Sequence, residues 1–109
     1  MPEQTSGGTR ILASVIVPLR HNDGRAVSRR TIKTLRRRLV AISGGYSVQR
    51  VRGGWLHESR VFTDNSDRYE AWLRSWRDVP AFLELVDWAR EALDQVTMGI
   101  SIAGIPEEV

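Results

Sequence analysis

GGYSVQRVRGGWLHESRVFTDNSDRYEAWLRSW, residues 44–76, is the stretch whose reading decides the fold. It reads as a long β-hairpin. Tyr46 to Leu56 makes one strand, His57-Glu58-Ser59 the turn, and Arg60 to Trp76 the returning strand. Gly53-Gly54 interrupts the first strand and predicts a bulge or a close backbone approach. Asp64-Asn65-Ser66 predicts a bulge or kink in the second. Side chains alternate along a strand, so Tyr69, Ala71 and Leu73 point one way and Glu70, Trp72, Arg74 and Trp76 the other. A helix over residues 66–76 is the competing reading of the same segment.

Working outward, the hairpin lies between two amphipathic helices. Ser28 is the N-cap of a helix reaching Ser43, with Ile32, Leu35, Leu39 and Ile42 on one stripe. Gly44-Gly45 ends that helix, because glycine tolerates the left-handed conformation of a C-cap. Pro80 suits the first turn of a second helix, which ends near Asp94. Phe82, Leu85, Val86, Ala89 and Leu93 form its buried side. Glu84, Asp87, Glu91 and Asp94 form an acidic stripe.

Outside the helices lie two more strands. Arg10 to Pro18 is apolar in both alternating sets, as in a strand covered on both faces. Val96 to Ala103 alternates larger apolar with small or polar residues. The order β-α-β-β-α-β predicts an α+β ferredoxin-like plait: an antiparallel sheet with two helices on one face. The expected domain spans residues 10–104, with a flexible N-terminal tail at 1–9 and a C-terminal tail at 105–109.

The 109 residues include no cysteine, which excludes disulfides and thiolate sites and fits a reducing compartment. The longest apolar run, residues 11–17, is too short to cross a bilayer. Met1-Pro2-Glu3-Gln4 lacks a basic segment followed by an apolar one, so no signal peptide is expected and the chain reads as cytoplasmic, with no membrane partner. Net charge is +3, but it is unevenly spread. Between Asp23 and Glu58 lie nine Lys or Arg and no acid; from Glu58 onward there are eleven acids against five bases.

PLRHNDG (residues 18–24), GGYS (44–47), GGW (53–55) and RVFTDNSDRYEAW (60–72) resemble a group of small bacterial proteins of uncharacterised function. The resemblance implies the ferredoxin-like fold. It implies no activity and no catalytic residue.

Three sets of residues carry candidate chemistry. Arg29, Arg30, Lys33, Arg36 and Arg37 gather on one helix flank, a surface for nucleic-acid phosphates. The competing reading is that the acidic stripe of the second helix faces this flank and pairs with it, or that the charges are simply solvated. Trp72 and Trp76 stand on the predicted open sheet face, and an exposed aromatic patch marks a binding surface. The favoured occupant is a second copy of the chain, giving a homodimer and a non-enzymatic interaction module. The alternative is a small-molecule pocket of the dimeric α+β barrel kind, lined by Trp55, Trp72 and Trp76, with His57 or Arg74 as its polar group. Base stacking is weaker, because the aromatic run of plait-type RNA-binding domains is absent. His21 and His57 sit in predicted turns beside Asp23 and Glu58, without the spacing of a metal site. Asp64-Asn65-Ser66-Asp67 lacks the glycine and closing glutamate of a calcium loop. The Gly-Gly pairs form no nucleotide-binding loop, and there is no GxSxG elbow. No cofactor, metal or catalytic residue is expected.

Overall fold

A computed structural model describes the backbone of residues 9–106 and the side chains of all of these except Thr9, Trp55, His57, Ile105 and Pro106. The elements follow in the order β1 (Thr9–Pro18), α1 (Arg29–Ser43), β2 (Ser47–His57), β3 (Arg60–Leu73), α2 (Val79–Ala92) and β4 (Ile100–Pro106), with a 3-10 turn at Trp76–Asp78 before α2. The sheet is antiparallel with strand order β2-β3-β1-β4, and both helices pack on one face. This is the ferredoxin-like βαββαβ plait that the sequence predicts.

The helix boundaries have local causes. The Ser28 side chain accepts a hydrogen bond from the Thr31 N–H at 3.1 Å, satisfying one of the free amides at the α1 N-terminus. Gly44 closes α1 with φ +87°, and its N–H reaches the Val40 carbonyl at 2.7 Å. Pro80 sits in the first turn of α2, where its missing N–H costs nothing.

The pleat of β3 fixes the layering. Tyr69, Ala71 and Leu73 are buried beneath the helices with Ile11, Ala13, Val15 and Val17 of β1. Leu35 and Leu39 of α1, and Phe82, Leu85 and Ala89 of α2 with Leu93 just beyond it, close the core from above. The helical reading of residues 66–76 is thereby overturned: β3 pairs with β1 as far as Leu73, opposite Ile11.

Several details differ from the sequence reading. β2 and β3 pair without a break from His57↔Arg60 to Ser47↔Glu70, so neither Gly53-Gly54 nor Asp64-Asn65-Ser66 makes a bulge. Trp76 leaves the sheet and opens the 3-10 turn, where the Ser75 hydroxyl accepts from the Arg77 N–H at 3.1 Å. The last strand begins at Ile100 rather than Val96 and continues to Pro106. Pro18 explains the late start. The Ile16 N–H donates to the Gly99 carbonyl at 2.9 Å, and the next β1 amide on that side would be that of residue 18, which proline lacks. Of the expected tails, residues 1–8 and 107–109 lie outside the described residues.

β2 and β3 outrun the rest of the sheet. β1 pairs with β3 only from Ser66 onward, so among the described residues β2 is the one strand beside residues 60–65 of β3. The turn closing this arm uses Glu58 and Ser59 at φ +51° and +65°, the left-handed pair of a tight hairpin, without a glycine. The arm gives the chain a radius of gyration of 15.7 Å and extents of 50 × 31 × 20 Å. A compact chain of this length has a radius of about 13 Å.

Phe82 is fully buried at the centre of the core. Phe82→Ala is expected to lower unfolding stability by about 3–5 kcal/mol, read as a lower urea midpoint with an unchanged denaturant slope.

Candidate functional site

Residues directly opposite in an antiparallel pair share a face. The open sheet face therefore carries Leu12, Ser14 and Ile16 of β1, Ser66, Arg68, Glu70 and Trp72 of β3, Gln49 and Val51 of β2, and Ser101 and Ala103 of β4. Its centre is apolar: Leu12 lies directly across from Trp72, Ala103 lies on the far side of Leu12, and Ile16 and Val51 extend the band. Ser14 and Ser101 satisfy each other, Oγ to Oγ at 2.7 Å. Arg68 does not: its Nε is shielded from solvent and has no hydrogen-bond partner among the described residues.

Trp72 is 39% exposed, and the Arg10 guanidinium lies 4.4 Å from the centroid of its ring, a cation–π contact. At this end of the sheet a cleft of about 410 Å³ opens between the sheet and the α1–β2 connection. Trp72, Arg10, Glu70, Tyr46 and Ser47 line it, with the Gly44-Gly45 turn as one wall. An aromatic plane, a carboxylate and a guanidinium there surround a space of ligand size.

The other expected members of this site lie elsewhere. Trp76 is 57% exposed in the 3-10 turn and does not line the Trp72 cleft. Neither does Arg74, whose backbone N–H donates to Asp78 Oδ2 at 3.2 Å. The Trp55 and His57 side chains fall outside the described residues, though their backbones pair with Phe62 and Arg60 in the arm. A barrel-type pocket would lie between helices and sheet, and there the core fills the space. The cleft at Trp72 takes its polar groups from Glu70, which the sequence reading placed on the Trp72 face without assigning it a role, and from Arg10, which it did not bring there. Arg10 reaches the ring from the neighbouring strand, and only the β1–β3 register reveals that.

The cationic flank of α1 divides into two. Arg36 turns toward the sheet, and its Nε donates to the Tyr69 hydroxyl at 3.0 Å. Its guanidinium lies 5.7 Å from the Tyr69 ring centroid and 5.9 Å from that of Tyr46. The hydrogen bond to Tyr69 raises the arginine's already high pKa. Arg29, Arg30, Lys33 and Arg37 are exposed and border a shallow groove with Thr34. Among the described residues no ion pair joins α1 to α2. Arg90 takes the acids of α2, at 2.9 Å from Asp87 and 3.7 Å from Glu91. The side chain that α1 sends toward α2 is Arg38, with its guanidinium 5.2 Å from the Trp88 ring centroid.

His21 lies in a polar clasp between the β1–α1 and α2–β4 connections. Its Nδ1 is 3.3 Å from Asp94 Oδ2. Nδ1 is buried and finds no hydrogen bond of good geometry there, so the contact is one of proximity. Asn22 donates to the Asp94 carbonyl at 3.2 Å, and Gln95 donates to Asn22 at 3.3 Å. Among the described residues no three His, Asp or Glu side chains gather as a metal site would require. No helix among the described residues is long and apolar enough to cross a membrane.

Solved structures supply the comparison. A phage SAM lyase in complex with S-methyl-5'-thioadenosine superposes with a TM-score of 0.66 at 17% identity, covering 99% of this chain and 98% of that one. CutA from Synechococcus elongatus gives 0.64 at 8% identity, with 94% and 81% covered. The divalent cation tolerance protein of Thermus thermophilus gives 0.60 at 14%, with 92% and 87% covered. The likeness shows the fold. No protein-family model matches the chain, and no curated protein does.

Asp23 offers a check on the clasp. Its carboxylate accepts the Arg25 backbone N–H at 3.0 Å and the Arg25 side chain at 2.7 Å, and these hold its pKa below the ordinary 3.8. A carboxylate depressed on folding stabilises the fold above its unfolded pKa, and that contribution is lost as pH falls through the folded value. NMR titration is expected to place Asp23 below 3.8. In Arg25→Ala the value is expected to rise only part of the way back, because the backbone N–H, the larger cause, remains.

Proposed function

We propose that this chain is a self-associating domain that packs against further copies of itself through its open sheet face and its hairpin arm. The observation that carries this reading is the arm. Leu56 and Val61 face each other across β2 and β3 and are 70% and 72% exposed. An isolated two-stranded ribbon is marginal in water, and an exposed apolar edge is an invitation to pairing. A partner covering the arm would bury both side chains, and this stretch of β3 has no second strand beside it among the described residues. On the other, open face of the same ladder Leu12, Ile16, Val51 and Trp72 form a second apolar band, and the shielded Arg68 Nε there finds no acceptor among the described residues. Sedimentation velocity at micromolar concentration is expected to give a mass above that of one chain. Leu56→Lys with Val61→Lys removes about 1.5–3 kcal/mol of apolar burial per side chain and is expected to weaken association at least tenfold, with the circular dichroism spectrum unchanged. A wild-type monomer at high micromolar concentration would end this reading.

A second reading rests on the Trp72 cleft. Here the chain holds a small planar ligand of nucleoside type: the indole stacks on the base and Glu70 accepts the sugar hydroxyls. The phage lyase structure bound to S-methyl-5'-thioadenosine supports this choice of chemistry, because its chain matches this one over nearly its whole length. Calorimetry with S-methyl-5'-thioadenosine is expected to show saturable binding. Trp72→Ala should weaken it at least about fivefold, the lower end of what base–aromatic stacking contributes. Absence of heat at millimolar ligand, or a Trp72→Ala variant that binds as well as wild type, would remove the reading.

A further inference from the structure

We propose that the outward face of α1, carrying Arg29, Arg30, Lys33 and Arg37, binds the phosphate backbone of double-stranded nucleic acid without reading its sequence. The placement of these four cations is the first argument. At 100° per residue they fall within an arc of about 100°, opposite the Leu35–Leu39 stripe that packs on the sheet. They therefore face solvent, away from both the sheet and α2. Among the described residues none of the four has an ion-pair partner, and the nearest acid in sequence, Asp23, is engaged by Arg25 at 2.7 Å.

The second argument is energetic. The first turn of α1 contains no acidic residue, while Arg29 and Arg30 stand at its positive pole and Lys33 follows one turn on. Cations near a helix N-terminus are unfavourable there, so this arrangement opposes the stability of the helix that carries it. A polyanion laid across the same pole would reverse the sign of that interaction, because it meets both the side chains and the free amides of the first turn.

The chemistry of the face selects the polyanion. Three of the four cations are arginines, whose planar forks match phosphate oxygens. Arg29 to Arg37 spans about 12 Å of helix axis, a length over which a duplex presents about seven phosphates. The aromatic side chains bordering α1 are already engaged: Trp88 lies beneath Arg38, and Tyr46 and Tyr69 lie against Arg36. Stacking on unpaired bases, the usual device of single-strand binders, is thus missing from this face. The face also lacks the Asn, Gln and carboxylate side chains that read base edges, so the contacts position without specifying. A lipid surface is the poorer fit, because the apolar side of α1 is buried on the sheet and cannot insert.

The test is fluorescence anisotropy of a short random-sequence duplex across a salt series. Four phosphate contacts give an expected slope of log K against log salt of about −3.5, which is roughly a 100-fold loss of affinity between about 50 and 200 mM. Each single change to Gln among the four is expected to reduce the slope by about 0.9. R29Q/R30Q/K33Q/R37Q is expected to abolish binding while its Tm stays equal to wild type or rises, because the substitutions relieve the helix N-terminus. Arg77→Gln, a cation on the connection before α2, should leave the slope unchanged. The proposal is overturned by no duplex binding at low salt, by a slope that survives the fourfold change, or by tighter binding to single strands or to anionic phosphatidylserine vesicles than to duplex.

Discussion

β3 is paired on both sides, to β2 from Arg60 to Glu70 and to β1 from Ser66 to Leu73. A strand held in this way cannot slip by one residue without exchanging its two faces. Such a slip would move Tyr69, Ala71 and Leu73 out of the core and press Arg68, Glu70 and Trp72 beneath the helices. Burying that carboxylate and guanidinium unpaired would cost far more than any new contact could return. The register is therefore set by what the helix layer can cover. The same constraint decides what the protein shows to its surroundings: an indole, an arginine with a shielded and unpaired Nε, and a carboxylate, set in a shallow apolar sheet.

The helix layer makes a parallel choice among cations. Arg36 and Arg37 are neighbours in sequence with opposite fates. Arg36 lies on the sheet side of the cationic flank and gives its Nε to the buried Tyr69 hydroxyl. That donation satisfies a hydroxyl which the core would otherwise strand. Arg37 lies further round and meets only solvent and its own kind. Arg38, turned toward α2, rests on Trp88. Three consecutive arginines thus join α1 to β3, leave it charged to solvent and join it to α2.

The architecture was legible in the sequence because it rests on period and punctuation. Ser28 and Gly44 cap α1 as their chemistry requires, and the doubly apolar first strand lies between two others in the sheet. The outward position of Trp72 follows from the parity of β3 alone. What escaped the sequence depended on pairing. Val96 to Gly99 alternates like a strand, but alternation is necessary and not sufficient: a ladder needs a donor opposite, and Pro18 withholds it. Trp76 continues the parity of β3 on paper, yet β1 offers Leu73 its last partner, and beyond it Ser75 and Asp78 bend the chain into a turn. The Trp72 cleft was half visible, because its ring is read from one strand while Arg10 and the glycine turn arrive from elsewhere. The division of the α1 cations was hidden for a related reason. A helical wheel gives angles, but it does not say that a tyrosine hydroxyl waits at one of them.

The two ends of β3 connect the readings of this surface. At one end Trp72 lines a cleft; at the other Leu56 and Val61 stand on an arm without a third strand. They lie along one ladder but on opposite faces of it: Trp72 shares the open face with Leu12, Ile16 and Val51, while Leu56 and Val61 have the helix-side parity of Tyr69 and Leu73. A second copy seated on the open-face band would approach the cleft. A ligand stacked on Trp72 would then exchange an open mouth for a wall of protein, and its contacts would strengthen as water left. By linkage, a ligand that prefers the covered cleft must favour the assembled state by the same factor. Were this face to seat both a second copy and a ligand, the two would be coupled through one surface. The cations of α1, on the opposite side of the sheet, stay free of that coupling.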